Sequence, residues 1–303
     1  MKKILVTGGC GFIGSAVVNK LQEQGYDIYV YDNLSFGSRK FINVDDEKFF
    51  ENDIRDVKSL EKCFAKVTPQ WVIHLAAIHF IPYCNEHPYL AADININGTI
   101  KVLDTIAKTK SVEKIFFAST AAVYPIYDFP TPETHEVGTM DIYGLTKFTC
   151  EKLCNEFHLR TQIPTVICRF FNAFGPNETN PHLIPEIQKQ ILGGNRIIEL
   201  GNISPKRDFI HTYDMVEAVH LLMKKFDKGI DIFNLGQGQE YAVTEVVKMF
   251  EKAIGEKIQI KQVESRIRKV ERMHLLADIT KLKNFAGWQP VWSLEAGIKT
   301  LVE

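Results

Sequence analysis

No apolar run in this 303-residue chain approaches the roughly 20 residues that a membrane-spanning helix needs, so a bilayer-embedded class is not expected. An excess of one charge is also missing. The 36 lysines and arginines are set against 37 aspartates and glutamates, for a formal net charge of −1. Such a balance gives no general pull toward nucleic acid or an anionic lipid surface. Cysteine is sparse and unpatterned: the six at positions 10, 63, 84, 150, 154 and 168 form no Cys-x-x-Cys pair and no metal-ligand spacing. No metal site is therefore expected, and a reducing cytoplasm suits the chain. Cys150 and Cys154, four apart on an expected helix, read as core packing. There is no internal repeat, low-complexity tract or long linker. Met1-Lys2-Lys3 leads straight into an apolar strand, so no signal peptide is expected there.

What is present begins at Val6-Thr-Gly-Gly-Cys-Gly-Phe-Ile-Gly14. An apolar run over 4–6 precedes it and a helical pattern over 12–24 follows, so it reads as a tight strand-to-helix turn. Gly8, Gly11 and Gly14 are spaced G-x-x-G-x-x-G, related to the dinucleotide fingerprint. The glycines permit a sharp turn, close approach of a pyrophosphate, and close packing of helix on strand. The first turn of the helix, Phe12 and Ile13 included, then presents backbone N–H groups and a positive dipole end to the phosphates. A strand over 28–31 ends in Asp32, eighteen residues after Gly14, where a carboxylate can bind an adenosine ribose. Asp32 accepts hydrogen bonds from both ribose hydroxyls and repels a 2′-phosphate. With Asn33 beside it and no arginine in its place, NAD is favoured over NADP.

Strand and helix patterns alternate from there on. A short strand and turn at 48–56 lead to a helix over 57–66, and an apolar strand over 70–77 ends in the small residues Ala76 and Ala77, which leave room for a cofactor. A long helix is expected over 93–108, a strand over 112–119, a helix over 143–161 and a strand over 164–170. Beyond Asn172 the pattern loosens, with loop chemistry at 175–181, helices at 182–192, 213–224 and 243–254, and strands at 197–200, 207–211 and 231–235. The alternation predicts an α/β fold, a Rossmann-type doubly wound parallel sheet with a smaller C-terminal α/β substrate lobe. The expected division is 1–172 for the dinucleotide-binding domain, with returning segments at about 209–236, and 173–303 for the substrate lobe.

Tyr143-Gly-Leu-Thr-Lys147 places a phenol and an ammonium one helical turn apart on one face, downstream of a strand ending in Ser119-Thr120. A tyrosine acting as a base must lose a proton whose ordinary pKa is about 10. A nearby ammonium and a positive nicotinamide both favour the phenolate.

With these motifs the chain resembles an extended short-chain dehydrogenase/reductase of the NAD-dependent epimerase/dehydratase family, most like its UDP-glucose 4-epimerase group. The likeness spans nearly the whole chain: Asp53-Ile54, His74-Leu-Ala-Ala77, Asn95-Ile-Asn-Gly-Thr99, Ser119-Thr-Ala-Ala-Val-Tyr124, Arg169-Phe-Phe-Asn172, Arg207-Asp-Phe-Ile-His211 and Asn284-Phe-Ala-Gly-Trp288 all match. The resemblance implies that Asp53 and Ile54 flank the adenine, that Leu75, Ala76 and Ala77 line the cofactor channel, and that Asn95 and Phe170 belong to the same site. It implies Thr120 on the sugar 4-oxygen, Tyr143 as base and Lys147 as its partner. It assigns Asn172 and Leu183 to the sugar nucleotide, Arg207 and Arg268 to the diphosphate and uridine region, and Glu271, where the family carries aspartate, to a ribose. Counting back three from the aspartate of Ala277-Asp278 puts Leu275 at the position that limits the sugar's C2 substituent. The helices near 97–108 and from Tyr143 onward would form a homodimer through Ile100, Leu103, Ile106, Ala107, Phe148 and Leu153.

Two departures from the group bear on the substrate. His79 stands where galactose-type epimerases carry lysine, so it joins the substrate-binding candidates. Ala121 and Ala122 replace the Asp-Glu pair of sugar dehydratases, and alanines supply no proton donor or acceptor for elimination. The expected activity is 4-epimerisation of a UDP-hexose, glucose/galactose or N-acetylated, with bound NAD. The alternatives are another nucleotide-sugar dehydrogenase, reductase or decarboxylase, or a non-catalytic NAD- or nucleotide-sugar-binding regulator.

Overall fold

The computed structural model describes residues 1–267 and 272–303. In chain order, β1 (Lys3–Thr7), α1 (Phe12–Glu23), β2 (Asp27–Asp32), β3 (Phe49–Glu51), α2 (Val57–Val67) and β4 (Trp71–His74) come first. Next are α3 (Ile81–Glu86), α4 (Pro88–Ala92), α5 (Gly98–Ala107), β5 (Lys114–Thr120), α6 (Ile142–Thr161) and β6 (Thr165–Phe170). Then follow β7 (Asn172–Phe174), α7 (Leu183–Leu192), β8 (Ile197–Leu200), β9 (Lys206–His211), α8 (Thr212–Lys225) and β10 (Ile230–Leu235). The chain ends with β11 (Glu240–Ala242), α9 (Val243–Ile254), β12 (Gln259–Gln262), α10 (Thr280–Ala286) and α11 (Leu294–Val302).

Two compact units are present. The first comprises Met1–Pro125, Glu136–Phe170 and Val216–Phe233, and the second Ile126–His135, Phe171–Met215 and Asn234–Glu303. A seven-stranded sheet in the order β10-β6-β5-β4-β1-β2-β3 organises the first, and the pairs from β1 through β6 are parallel. Its inner strands β4, β5 and β6 are buried at every residue. Helices cover both faces of such a sheet, so these strands read as continuous apolar runs. The helix α2 shows the matching pattern: Leu60, Cys63, Phe64 and Val67 form one buried stripe at helical spacing. The doubly wound fold read from the alternation is the fold observed.

Sheet order explains where a ligand can lie. β1 sits between β4, reached by a crossover, and β2, its neighbour in sequence, so the direction of winding reverses beside β1. A crevice opens at such a reversal, outside the carboxyl ends of the strands.

The second unit has a three-stranded sheet, β11-β9-β7, and a two-stranded one, β12-β8. Phe174, Ile187, Ile198, Phe209, Phe250 and Leu294 centre its core. Asp208 is fully buried there, and its carboxylate accepts from the backbone N–H groups of Gln237 (2.6 Å), Gly238 (2.9 Å) and Ala277 (3.1 Å). One side chain thus ties β9 to the turn before β11 and to the strand-like segment at Ala277.

Two expectations need correction. The helix expected over 93–108 is not one regular element, because Asp93–Asn97 form a π-helical turn before α5. Leu103 and Ile106, expected on a dimer face, are 4% and 1% exposed and belong to the chain's own core beside Phe64 and Ile115. Ile100, 42% exposed, is the α5 residue left on the surface stripe.

Candidate active site

The glycine turn is built from close backbone contacts. Gly8 has φ +73°, and a Cβ on it would lie 2.7 Å from the Ala76 nitrogen. A Cβ on Gly14 would lie 1.9 Å from the Gly8 carbonyl oxygen, so α1 rests directly on the turn. Gly11 differs, since a Cβ there would meet only the Gly8 oxygen at 3.4 Å. It faces open space at the N-terminus of α1, which no side chain caps. The first-turn N–H groups of Phe12, Ile13 and Gly14 remain available to an anion. These residues fit a pyrophosphate.

Asp32, buried at the end of β2, accepts from the backbone N–H groups of Cys10 (2.9 Å) and Leu34 (2.8 Å). Burial raises its pKa, while these two bonds oppose the rise. Its carboxylate is thereby aimed along the turn. Asn33 donates to Asp53 at 3.0 Å, and Arg55 grips Asp53 with Nε at 2.9 Å and Nη2 at 2.8 Å. The Arg55 guanidinium holds the Asp53 carboxyl down at about 2. Ile54 is 5% exposed and packs against Gly98. Leu75, Ala76 and Ala77 are half-buried at the end of β4, as are Phe80 and His79 just beyond.

The catalytic pattern assembles at the end of β5. Asp141 caps α6 by accepting from the Gly144 N–H at 2.7 Å. A Cβ on Gly144 would lie 2.4 Å from the Ala122 oxygen, so the start of α6 lies against the 3-10 turn Ala121–Val123. That contact brings half-buried Tyr143 within hydrogen-bond reach of Thr120. Burial pushes the Tyr143 phenol up, and the Thr120 hydrogen bond pulls it back. Lys147, one turn along, is 3% exposed, with Nζ 4.2 Å over the Phe117 ring, and burial lowers its pKa.

Buried polar groups join the glycine turn to this helix. His74 Nδ1 lies 2.6 Å from Thr7 Oγ1, and Nε2 lies 3.0 Å from Thr99 Oγ1. Thr99 donates to the Asn95 carbonyl at 2.6 Å, so its oxygen accepts from His74 Nε2–H, and Thr7 donates to Nδ1. The Asn95 amide takes both the N–H and the C=O of Ile78 and donates to Thr146 at 3.0 Å. Its side chain is thus spent on the frame, within the π-helical turn. One turn past Lys147, Glu151 holds Arg169 in two hydrogen bonds of 2.9 and 2.7 Å and accepts from Ser119 at 2.5 Å. Arg169 reaches Tyr124 at 2.9 Å. Phe170 ends β6, its ring 6.0 Å from Phe116.

In the second unit, Asn172 opens β7 and Leu183 opens α7. Arg207 Nη1 donates to the carbonyls of Lys206 (2.8 Å) and Arg272 (2.7 Å). The Leu275 carbonyl accepts from the Asp208 N–H at 2.9 Å, which sets Leu275 on the backbone alongside Arg207. Arg268 and Glu271 lie outside the described residues.

A family model described as the NAD dependent epimerase/dehydratase family matches residues 4–236. The chain belongs to that family. It is 31% identical to the UDP-glucose 4-epimerase of Bacillus subtilis, over 96% of this chain and 93% of that one. It is also similar to a crystal structure of UDP-glucose 4-epimerase with UDP-glucose from Thermotoga maritima, at 32% identity and TM-score 0.90, covering 99% and 97% of the two chains. A UDP-N-acetylglucosamine 4-epimerase from Methanobrevibacter ruminantium, solved with UDP-N-acetylmuramic acid, gives TM-score 0.90 at 27% identity, covering 99% and 97%.

Sequence reasoning did not single out Gly144, His74, Glu151 or Arg169 as parts of the site's frame. Gly144 stands inside the Tyr-x-x-x-Lys pattern, and a glycine in the first turn of a helix was itself a signal of close approach. His74 also makes the frame sensitive to acid. Burial, and then the Lys147 charge, lower its pKa to about 3 from 6.5. A histidine depressed in the folded state is neutral in both states above 6.5, so its stability contribution is lost as pH falls from there toward 3. Between pH 4.5 and 6, His74→Gln should remove about 1.4 kcal/mol per pH unit of the acid-side slope in unfolding free energy. Urea titrations at several pH values would measure this, and parallel slopes for the two chains would contradict it.

Proposed function

We propose that the chain is an NAD-dependent 4-epimerase of a UDP-hexose, an isomerase in which no net oxidation occurs. The observation that carries this reading is the seating of the start of α6, with Tyr143, against the turn that follows Thr120, with Lys147 one turn along the same helix. Thr120 holds the sugar 4-oxygen and Tyr143 takes the 4-hydroxyl proton, returning it when the other epimer forms. Burial alone disfavours the phenolate, so the base depends on positive charge supplied nearby. Lys147 gives part of that charge and would hydrogen-bond the nicotinamide ribose. When bound, NAD supplies the acceptor and donor of the hydride at C4. Asp32 would hold the adenosine ribose and the turn Gly8–Gly14 the pyrophosphate, with Asn33, Asp53, Leu75, Ala76, Ala77 and Phe170 around the cofactor, while buried Ile54 and Asn95 would act on that site from behind, through the frame. Asn172, Leu183, Arg207 and Leu275 are assigned to the UDP-sugar, and His79 to the sugar itself. Ala121 and Ala122, both buried and without a titratable group, leave no acid–base pair for dehydration.

Among the described residues no helix is long and apolar enough to cross a membrane. All six cysteines are buried and free, which suits a reducing cytoplasm. A homodimer through α5 and α6 rests on exposed Ile100 and on half-buried Ala107, Phe148 and Leu153. A single-chain mass by light scattering at micromolar concentration would overturn the dimer.

Tyr143→Phe should retain NAD and the fold while turnover falls by about 10²–10⁴. A near-normal rate of sugar interconversion in that variant would remove Tyr143 from the chemistry. Leu275 is shorter than tyrosine and apolar, so it leaves room for an acetamido group, whose methyl packing adds about 1 kcal/mol. N-acetylated UDP-hexoses should therefore be accepted. Leu275→Tyr should depress kcat/KM for UDP-N-acetylgalactosamine relative to UDP-galactose, and an unchanged ratio would rule out this role.

A further inference from the structure

Phe36 stands out because its ring is 42% exposed in a loop pressed onto the glycine turn. That loop follows β2. A Cβ on Gly37 would lie 2.4 Å from the Cys10 oxygen, and Ser38 N–H donates to the same oxygen at 3.0 Å. Cys10 is held from its other side as well, its N–H bonded to Asp32 at 2.9 Å. The loop therefore has a fixed seat on the backbone of the turn.

Tyr83 is anchored from the opposite side. It lies on α3, after β4, with neighbouring Cys84 fully buried and donating from Sγ to the Ile78 carbonyl at 3.6 Å. Ile78 is itself held at both backbone groups by Asn95. The His87 ring backs Tyr83 at a centroid distance of 4.4 Å.

The rings of Phe36 and Tyr83 meet edge to face, with centroids 5.7 Å apart and planes at 77°. Strand order gives that contact its meaning. β4 and β2 flank β1 in parallel, so the segments leaving them rise on either side of the glycine turn that ends β1. The aromatic pair joins the two segments across that turn.

We infer that Phe36 and Tyr83 form a clasp over the glycine turn that must open for the dinucleotide to enter or leave. The inference rests on the proposed binding of NAD at this turn. A dinucleotide with its adenosine at Asp32 and its pyrophosphate at Gly11 would have to pass beneath the joined segments. An enzyme that reuses one cofactor and releases none between half-reactions gains from slow exchange. An edge-to-face pair is a closure of the right strength, since it holds the segments together yet breaks readily under thermal motion.

The test is exchange of bound NAD for isotopically labelled NAD in the holoenzyme. Phe36→Ala should exchange about three- to tenfold faster, the range expected for loss of one edge-to-face pair. Tyr83→Ala should do the same, and the double variant should be no faster than either single one, because all three lack the same contact. Phe36→Trp should restore slow exchange. The cofactor-free Phe36→Ala chain should still unfold cooperatively, its stability lowered by no more than that one ring pair supplies. Equal exchange rates in wild type and Phe36→Ala, or additive effects in the double variant, would overturn the clasp while leaving the NAD site in place. A wild-type chain that binds no NAD would overturn the cofactor reading and the clasp together.

Discussion

The contact of the glycine turn with the end of β4 is the constraint from which the rest of the site follows. Gly8 can lie against Ala76 only because it has no side chain and adopts a left-handed backbone. With β1 and β4 that close, Thr7 reaches His74, His74 reaches Thr99, and Thr99 bonds the backbone of Asn95. Asn95 then fixes Ile78 and, through Thr146, the first turns of α6. A side chain at position 8 would separate the strands' ends and loosen every later contact in that chain of bonds. The same physical economy recurs at Gly144, where absence of a side chain lets α6 begin against the Thr120 turn.

The face of α6 that carries Tyr143 and Lys147 is unusual for a core helix. Its buried residues include Lys147 and Glu151 as well as Cys150, Cys154 and Phe157. Burying a carboxylate is costly unless it is paired and fully hydrogen-bonded. Glu151 meets that condition through Arg169 and Ser119, so its charge is satisfied inside the unit. Arg169 in turn holds Tyr124, just past the 3-10 turn that follows Thr120. The ion pair therefore sets the spacing of β5, β6 and α6, the three elements whose ends carry Thr120, Phe170 and Tyr143. Lys147, one turn before Glu151, is buried with its ammonium over the Phe117 ring, and burial lowers its pKa.

Much of this was legible in the sequence because its signals are local. Glycine spacing, the aspartate ending β2, the apolar strands and the Tyr-x-x-x-Lys pattern each follow from chemistry within a few residues. What was missed is non-local or too short to carry a period. The three-residue strands β7 and β11 show no alternation, and α3, α4 and α10 are too short to establish a helical period. The π-helical turn at 93–97 looks like ordinary helix in sequence. Leu103 and Ile106 lie on an amphipathic stripe whose direction is fixed only by packing against α2 and β5. The pairing of Glu151 with Arg169 emerges only when α6 and β6 are placed side by side.

The central claim is that a single bound cofactor takes hydride from C4 of a UDP-hexose and returns it to the same carbon. UDP-galactose carrying deuterium at C4, incubated with the purified chain and no added NAD or NADH, tests it directly. The account predicts conversion to UDP-glucose, read by NMR, with the deuterium retained at C4. Loss of the label to solvent, or turnover that requires a stoichiometric supply of external cofactor, would contradict it.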